Sequence, residues 1–441
     1  MSETPAEAPF PRPAYAWTVV GILFLTAVLS YTDRQVLSLL VDPIRADLKI
    51  DDTQMSLLLG LAFAVVYGAA GIPLGGFADR TSRRNLILGG VVVWGLGTLA
   101  CGFAHSFGQL FAARVVVGLG EAVLSPAAIS LISDYFPERR RGFAVSVYFT
   151  GITVGVGGSY FIGGAILAAI KAGLLTGTPL AALPVWRLVL LATGAPSLLW
   201  ALLILVIREP ARRAGESASA LREEKAKLDW RPFALIAPVY LAVAIASLVD
   251  NGVGAWAPSL LTRSFKATAD VAGIELGLLI TAGYSGGMLL GGVLADRMAA
   301  WRGARGKVEL CLFAAASTVV AAILVRMPTL GLVMASVPLY FALSAIVTAS
   351  GLSAILDATP NRSRGRAMGV SFFLNVAIGA GVGPTAVALA SDRLFGAGAG
   401  LATPIAFTMV VAFGVAALAL LGALILRRRD RTAANPVGVS A

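Results

Sequence analysis

One histidine and two cysteines in 441 residues leave little room for metal or thiol chemistry. Cys101 and Cys311 lie inside apolar runs in opposite halves of the chain, so neither a disulfide framework nor a metal-ligand set is indicated, and each reads as a small buried hydrophobe. His105 stands beside Ser106 at the end of an apolar run, which leaves carboxylates as the proton carriers. Charge is scarce as well. Only 13% of the residues are charged against 57% hydrophobic, and the mean hydropathy of +0.83 excludes a soluble globular protein. The formal net charge of +11 does not point to nucleic acid, because the basic residues fall in short clusters between apolar runs rather than along one polar face. No G-x-x-x-x-G-K-[ST] loop is present, so ATP does not drive the protein from within this chain. Gly283-Tyr284-Ser285-Gly286-Gly287 fits the nucleophile-elbow pattern, but it lies in an apolar run with no histidine near it and reads as a small-residue packing stripe. Neither an enzyme nor a cofactor or metal is expected. Met1 to Pro13 is polar, proline-rich and acidic at Glu3 and Glu7, unlike a secretory leader, so the first apolar run is expected to stay in the mature protein.

What the chain has in abundance is apolar runs of about 20 residues, the length needed to cross a bilayer core. The first half gives Tyr15 to Val41, Thr53 to Phe77, Leu86 to Ala104, Phe107 to Ile132, Phe143 to Ile170 and Val185 to Ile207. The second half gives Pro232 to Leu261, Ile274 to Leu294, Val308 to Val325, Leu330 to Leu356, Ala367 to Ala390 and Leu401 to Leu426. The expected architecture is an all-α membrane protein: a tail (1–14), a six-helix bundle (15–207), a charged linker (208–231), a second six-helix bundle (232–426) and a tail (427–441). The Arg and Lys clusters fall on one side of these spans, which predicts that this side and both termini are cytoplasmic. Nothing in the pattern signals an oligomer, and a monomer is expected.

The first run contains Tyr31-Thr32-Asp33-Arg34. One charge at the centre of a membrane helix costs about 2.5 to 3.5 kcal/mol, so such a pair must face protein or a water-filled cavity. Asp33 and Arg34 are neighbours on one helix and point about 100 degrees apart; one is expected to face the cavity and the other a neighbouring helix. In the fourth run, Arg114 and Glu121 lie seven apart, on one helix face and about 10 Å apart in depth. Gly118 and Gly120 between them allow a ligand or a neighbouring helix to come close. The functional reading gives Asp33 and Glu121 the coupling proton, and Arg34 and Arg114 an anionic headgroup, since guanidinium meets carboxylate or phosphate with two parallel hydrogen bonds. The alternative is a static Asp33–Arg114 bridge that holds the first helix to the fourth. Tyr31, Tyr67 and Tyr148 either supply hydroxyls to the headgroup or pack.

An internal repeat is legible. Gly75-Gly76-Phe77-Ala78-Asp79-Arg80 is matched by Gly292-Val293-Leu294-Ala295-Asp296-Arg297, and Pro137-x-Arg139-x-Arg141-Gly142-x-Ala144 by Pro360-x-Arg362-x-Arg364-Gly365-x-Ala367. The first displacement carries Asp33 onto Asp250, the only carboxylate in the seventh run. Asp250 is either a second protonatable site or a neutral hydrogen-bonded acid, with Asn251 beside it as a candidate substrate contact. The second half otherwise offers Trp256, Phe341, Met368, Phe372 and Phe373, an apolar wall that suits a hydrocarbon tail at about 0.8 kcal/mol per buried methylene.

Twelve runs, the Gly75-x-x-x-Asp79-Arg80-x-x-Arg83-Arg84 loop with its weaker second copy, and Arg114-x-x-x-Gly118-x-Gly120 together resemble a major facilitator superfamily transporter over nearly the whole chain. Ser82 departs from the Gly usual in that loop, and Gly155-Val156-Gly157-Gly158-Ser159 lacks the Pro of the antiporter-type motif. Within the superfamily, Tyr31-Thr32-Asp33-Arg34, Asp52-Thr53-Gln54, Tyr67 and Arg114 through Ala122 resemble the spinster family, whose members carry sphingosine phosphates and lysophospholipids. Sugar-acid and organic-anion symporters share a similar Asp-Arg and Gly-Glu-Ala. The resemblance implies alternating access, a lipid-like or organic anion as substrate and protons as coupling ion. It also implies a cytoplasmic gate that breaks and reforms at Asp79, Arg80, Arg83 and Arg84, near Asp134 and Arg139, with Asp296 and Arg297 as the second copy.

Overall fold

The computed structural model describes residues 10–68, 81–210, 231–359, 363–396 and 400–433. In chain order the helices are α1 Pro13–Gln35, α2 Val41–Leu48, α3 Asp52–Ser56, α4 Arg83–Gly102, α5 Phe107–Glu121, α6 Leu124–Tyr135, α7 Glu138–Lys171 and α8 Val185–Ile204. They continue with α9 Arg231–Phe265, α10 Ala269–Arg302, α11 Ala304–Leu324, α12 Leu330–Ala358, α13 Arg364–Leu374, α14 Gly381–Leu389 and α15 Ala402–Ala433. Among the described residues there is no strand, and eleven helical stretches are long and apolar enough to cross a membrane. The expected run Thr53 to Phe77 is represented by the apolar helix Asp52–Gly68; its remainder, with Asp79 and Arg80, lies outside the described residues, as does 211–230 of the linker.

Sequence explains where these helices start and where they deform. Asp51 and Gln54 form a reciprocal capping box at α3, and Ser82 and Ser106 accept from the backbone N–H of Asn85 and Gln109 to open α4 and α5, satisfying donors that a helix start leaves unpaired. Two prolines break the spans that carry the charges. Pro43 has no N–H for Leu39 and its ring crowds that carbonyl, and the chain there runs as a tight 3-10 stretch, Val36–Leu40, directly after Arg34. Pro126 does the same to Ala122, and α5 ends at Glu121 before α6 resumes at Leu124.

Two compact units result, residues 1–229 with 268–277 and residues 230–267 with 278–441. Residues 268–277, which open α10, therefore belong to the first unit, although the sequence reading assigns them to the C-terminal bundle. In the first unit, Gly151 and Gly155 of α7 face Phe24 and Tyr31 of α1, where a Cβ would stand 2.7 Å from the Phe24 carbonyl and 2.8 Å from Tyr31. Gly277 likewise meets Gly157 and Phe161 of α7, and Lys171 bonds to Asp270 at the same end. Leu23, Trp94, Val117, Leu131, Tyr148 and Ile204 form its sealed core.

In the second unit α12 packs against α9 and α11 and against the glycine face of α10. Gly283 and Gly287 face Pro338 and Ala342 so closely that a Cβ would strike their backbone, which makes the elbow-like glycine-serine pattern a helix-packing stripe. Large apolar side chains such as Leu289, Phe313 and Leu418 are more than two-thirds exposed, as lipid-facing residues are in a protein whose outer surface is solvated by hydrocarbon.

Candidate functional site

The charges of the first and fourth runs meet inside the first unit. Arg34 donates from Nη2 to Glu121 Oε2 at 2.7 Å, with the arginine 13% exposed and the glutamate side chain sealed. The guanidinium stands over three rings at once, 3.9 Å from the Phe63 centroid, 4.6 Å from Tyr31 and 5.2 Å from Tyr67. Phe63 and Tyr67 are themselves stacked at 5.1 Å. Rings supply an electrostatic face to a desolvated cation, so Arg34 stays charged in a place where water is scarce. The pair is incomplete: Arg34 Nε and Glu121 Oε1 are buried without a hydrogen-bond partner.

Asp33 and Arg34 part company as their 100-degree offset requires. Asp33 is buried and accepts from the Ser197 hydroxyl of α8 at 2.8 Å, so the Asp33–Arg114 bridge weighed as an alternative is not formed. Arg114, also buried, reaches the other way and donates from Nε to the Leu58 carbonyl at 3.3 Å, while its Nη2 has no partner. That carbonyl is available because Leu57–Leu61 is wound as a π-helix; such widened turns shift the backbone ladder and recur at functional sites. Gly118 is what brings this segment near, since a Cβ there would stand 2.9 Å from the Phe63 carbonyl. Gly120 serves packing instead, against Gly90 and Trp94 of α4.

Of the three tyrosines, Tyr31 and Tyr67 flank Arg34, whereas Tyr148 is sealed in the core with its hydroxyl 3.1 Å from Ser125 Oγ. Three contributors were not predicted. Phe63 and Ser197 carry no sequence signal beyond being an aromatic and a small polar residue in a span, and the Leu58 carbonyl is a backbone group.

A second charged cluster occupies the end of the unit that carries Arg83. This arginine is 2% exposed on its side chain; it donates to Asp134, to Ser130 Oγ at 3.2 Å and to Glu209 Oε1 at 2.7 Å. Glu209 also accepts from Ser82 Oγ at 3.0 Å and from the Arg84 backbone N–H at 2.9 Å. Arg84 turns its guanidinium to Asn85, and Arg139 is exposed with no ion pair among the described residues. The second unit repeats the arrangement: Lys307 donates to Ser353 Oγ at 2.8 Å and to Asp357. Ser353 and Asp357 are Ser130 and Asp134 displaced by the same 223 residues that carry Pro137 to Pro360, so the repeat contained this cluster. Asp296 and Arg297, expected to act there, are exposed and form no ion pair among the described residues.

Burial works against the charge on Glu209, but the Arg84 N–H, the Arg83 guanidinium and the Ser82 hydroxyl outweigh it and hold the carboxyl below its ordinary 4.5. A carboxyl lowered by folding stabilises the fold fully above its unfolded value, and that stabilisation is lost as the pH falls through the folded value. Acidification from about pH 7 to about pH 3.5 is therefore expected to lower the melting midpoint of the wild type more than that of Glu209→Gln; equal losses would show that the cluster is not held by this charge.

In the second unit Asp250 accepts from the Tyr340 hydroxyl at 2.7 Å, and Asn251 donates to the Ser247 carbonyl at 2.8 Å. Phe341 and Trp256 are core residues, Trp256 donating its ring N–H to the Pro384 carbonyl at 2.9 Å. Phe372 and Phe373 are about half exposed, at 48% and 49%.

The Major Facilitator Superfamily model matches residues 23–384. The chain is 31% identical to an MFS-type efflux pump of Mycolicibacterium smegmatis, over 87% of this chain and 86% of that one. It is 30% identical to human protein spinster homolog 1 over 57% of this chain, spanning under half, 47%, of that protein. Its fold is similar to the crystal structure of a bacterial homologue of the human lysosomal transporter spinster, with a TM-score of 0.77 and 26% identity over 95% of this chain and 98% of the other. A spinster-like, multi-pass membrane protein, this chain belongs to the major facilitator superfamily.

Proposed function

We propose that this transporter moves an amphipathic anion of the lysophospholipid or sphingosine-phosphate type by alternating access, coupled to protons. The observation that carries this reading is a charge set balanced only when both acids are ionised: Arg34 and Arg114 against Asp33 and Glu121, all deep in one bundle. Only one of the two possible pairs is closed, and Arg114 already holds an unused donor. Protonation of Glu121 releases Arg34 to an anionic headgroup, and loss of that proton lets the glutamate recapture the arginine as the headgroup leaves. Asp33, on a hydroxyl rather than a guanidinium, takes up a proton without breaking an ion pair. In this reading Asp79, Arg80, Arg83, Arg84, Asp134 and Arg139 close the cytoplasmic side, with the Lys307–Asp357 cluster in the place given to Asp296 and Arg297. The protein works as a monomer with both termini in the cytoplasm, in the inner membrane of a bacterial host.

Thermal stabilisation of the purified protein across a solute panel tests the substrate class. A lysophosphatidate is expected to raise the melting midpoint by several degrees and a hexuronate to leave it unchanged. The reverse order would make the chain a small-anion symporter, and no stabilisation by any anion would favour a receptor that transports nothing.

A further inference from the structure

Asp250 is a membrane-depth carboxylate with no countercharge in contact with it among the described residues. The nearest charges on its own helix are Arg263 and Arg231, about 20 and 28 Å away along the axis at 1.5 Å per residue. Among the described residues no lysine, arginine or histidine forms an ion pair with it. Tyr340 of α12 donates to it at 2.7 Å, and Tyr284 of α10 is a further titratable side chain near Tyr340. The fully buried Ser344 sets its hydroxyl near the same carboxylate without a hydrogen bond of good geometry to any group. Beside it, Ser247 donates to the Asn375 carbonyl at 3.1 Å, the first residue of the π-helical stretch Asn375–Ala380.

These groups form a polar cluster around Asp250, and it is not sealed. Asp250 keeps partial exposure, whereas Val249 and Trp256 on the same helix have none. Tyr340 and Phe341 meet edge to face at 5.1 Å next to it, rings of the kind that favour a cation. A bare carboxylate at this depth is costly, so it takes a positive partner from outside the protein. A metal ion is a poor fit: among the described residues no second carboxylate, histidine or cysteine joins Asp250 in a metal-ligand group, and hard cations take six or more oxygen ligands.

We propose that Asp250 is a cation seat, occupied in turn by a proton and by an ammonium group of the transported amphiphile. The two exclude one another, so arrival of the ammonium expels the proton. The inference rests on the reading of the chain as a carrier of amphiphiles and narrows it to those that bear an ammonium as well as an anionic group.

The test uses the full-length protein in a non-ionic detergent and dodecyltrimethylammonium, a permanent cation that cannot itself titrate, with dodecanol as the neutral control. The wild type is expected to bind the cation, to release protons into weak buffer as it does so, and to lose affinity by up to about tenfold per unit as the pH falls. Asp250→Asn should bind at least ten times more weakly with no pH dependence, and Asp250→Glu should retain both properties. Binding that is absent, independent of pH in the wild type, or equal in wild type and Asp250→Asn would overturn the assignment. Lysophosphatidate stabilisation on the same preparation separates the two readings. If it persists while the cation fails to bind, only the Asp250 seat falls; if it is missing while the cation binds as predicted, the anionic-headgroup reading falls and the seat stands.

Discussion

Arg34→Ala is expected to abolish anion binding, with at least a hundredfold loss in the affinity for lysophosphatidate, and to lower the melting midpoint as well. The guanidinium closes the one ion pair found among the described deep charges of the first unit and fills the space between Phe63, Tyr31 and Tyr67. Removing one partner of a buried pair costs about 3 to 5 kcal/mol, because the other charge is left without compensation. The stability loss therefore belongs to Glu121, not to the missing arginine. Adding Glu121→Gln to Arg34→Ala removes the stranded charge and is expected to restore much of the melting midpoint while leaving binding absent. A cycle of the two single variants and the double variant measures the coupling. If the double variant regains binding as well, Arg34 is a structural prop and not the headgroup contact. Arg114→Ala should lose binding without this rescue, since Arg114 makes no ion pair among the described residues that its loss would strand.

Asp33→Asn should uncouple transport from protons. Its hydrogen bond to Ser197 survives the change in outline, because an amide oxygen still accepts from the hydroxyl, so the packing of α1 on α8 is preserved. What is removed is a buried carboxyl that forms no ion pair among the described residues and that, on the proposed reading, gains and loses a proton without opening one. Solute exchange across the membrane is expected to continue, while uptake or efflux driven by a pH gradient falls to the level of empty vesicles. Glu121→Gln should also lose gradient-driven flux, by a different route: it frees Arg34 permanently. Tighter solute binding and slower release are then expected in Glu121→Gln and not in Asp33→Asn. Wild-type coupling in both carboxylate variants would refute the proton assignment.

Much of this is legible in the sequence alone. Apolar runs of bilayer length give the spans because lipid admits little else, and charges inside them are too costly to be incidental, which singles out Asp33, Arg34, Arg114 and Glu121. Their partners were less legible. Whether Asp33 meets Arg114 or Ser197 depends on the rotation of α1 against α8, and residue spacing within a helix does not fix rotation between helices. The acceptor of Arg114 is a carbonyl released by a π-helical turn at Leu57–Leu61, which no side-chain pattern announces. Pro43 and Pro126, by contrast, were in plain view four residues after the carbonyls they disturb, and they explain why the spans deform next to Arg34 and Glu121. The Lys307–Asp357 cluster was also readable, by carrying Asp134 across the repeat; following the loop motif instead led to Asp296 and Arg297, which are exposed.

The most direct measurement of the whole account is solute flux in proteoliposomes under an imposed pH gradient, with sphingosine phosphate, which bears both a phosphate and an ammonium, as the solute. The account predicts saturable, protein-dependent accumulation that collapses when a protonophore dissipates the gradient and disappears in Asp33→Asn while exchange persists. Accumulation indifferent to the gradient, or no flux beyond that of protein-free vesicles, would contradict it.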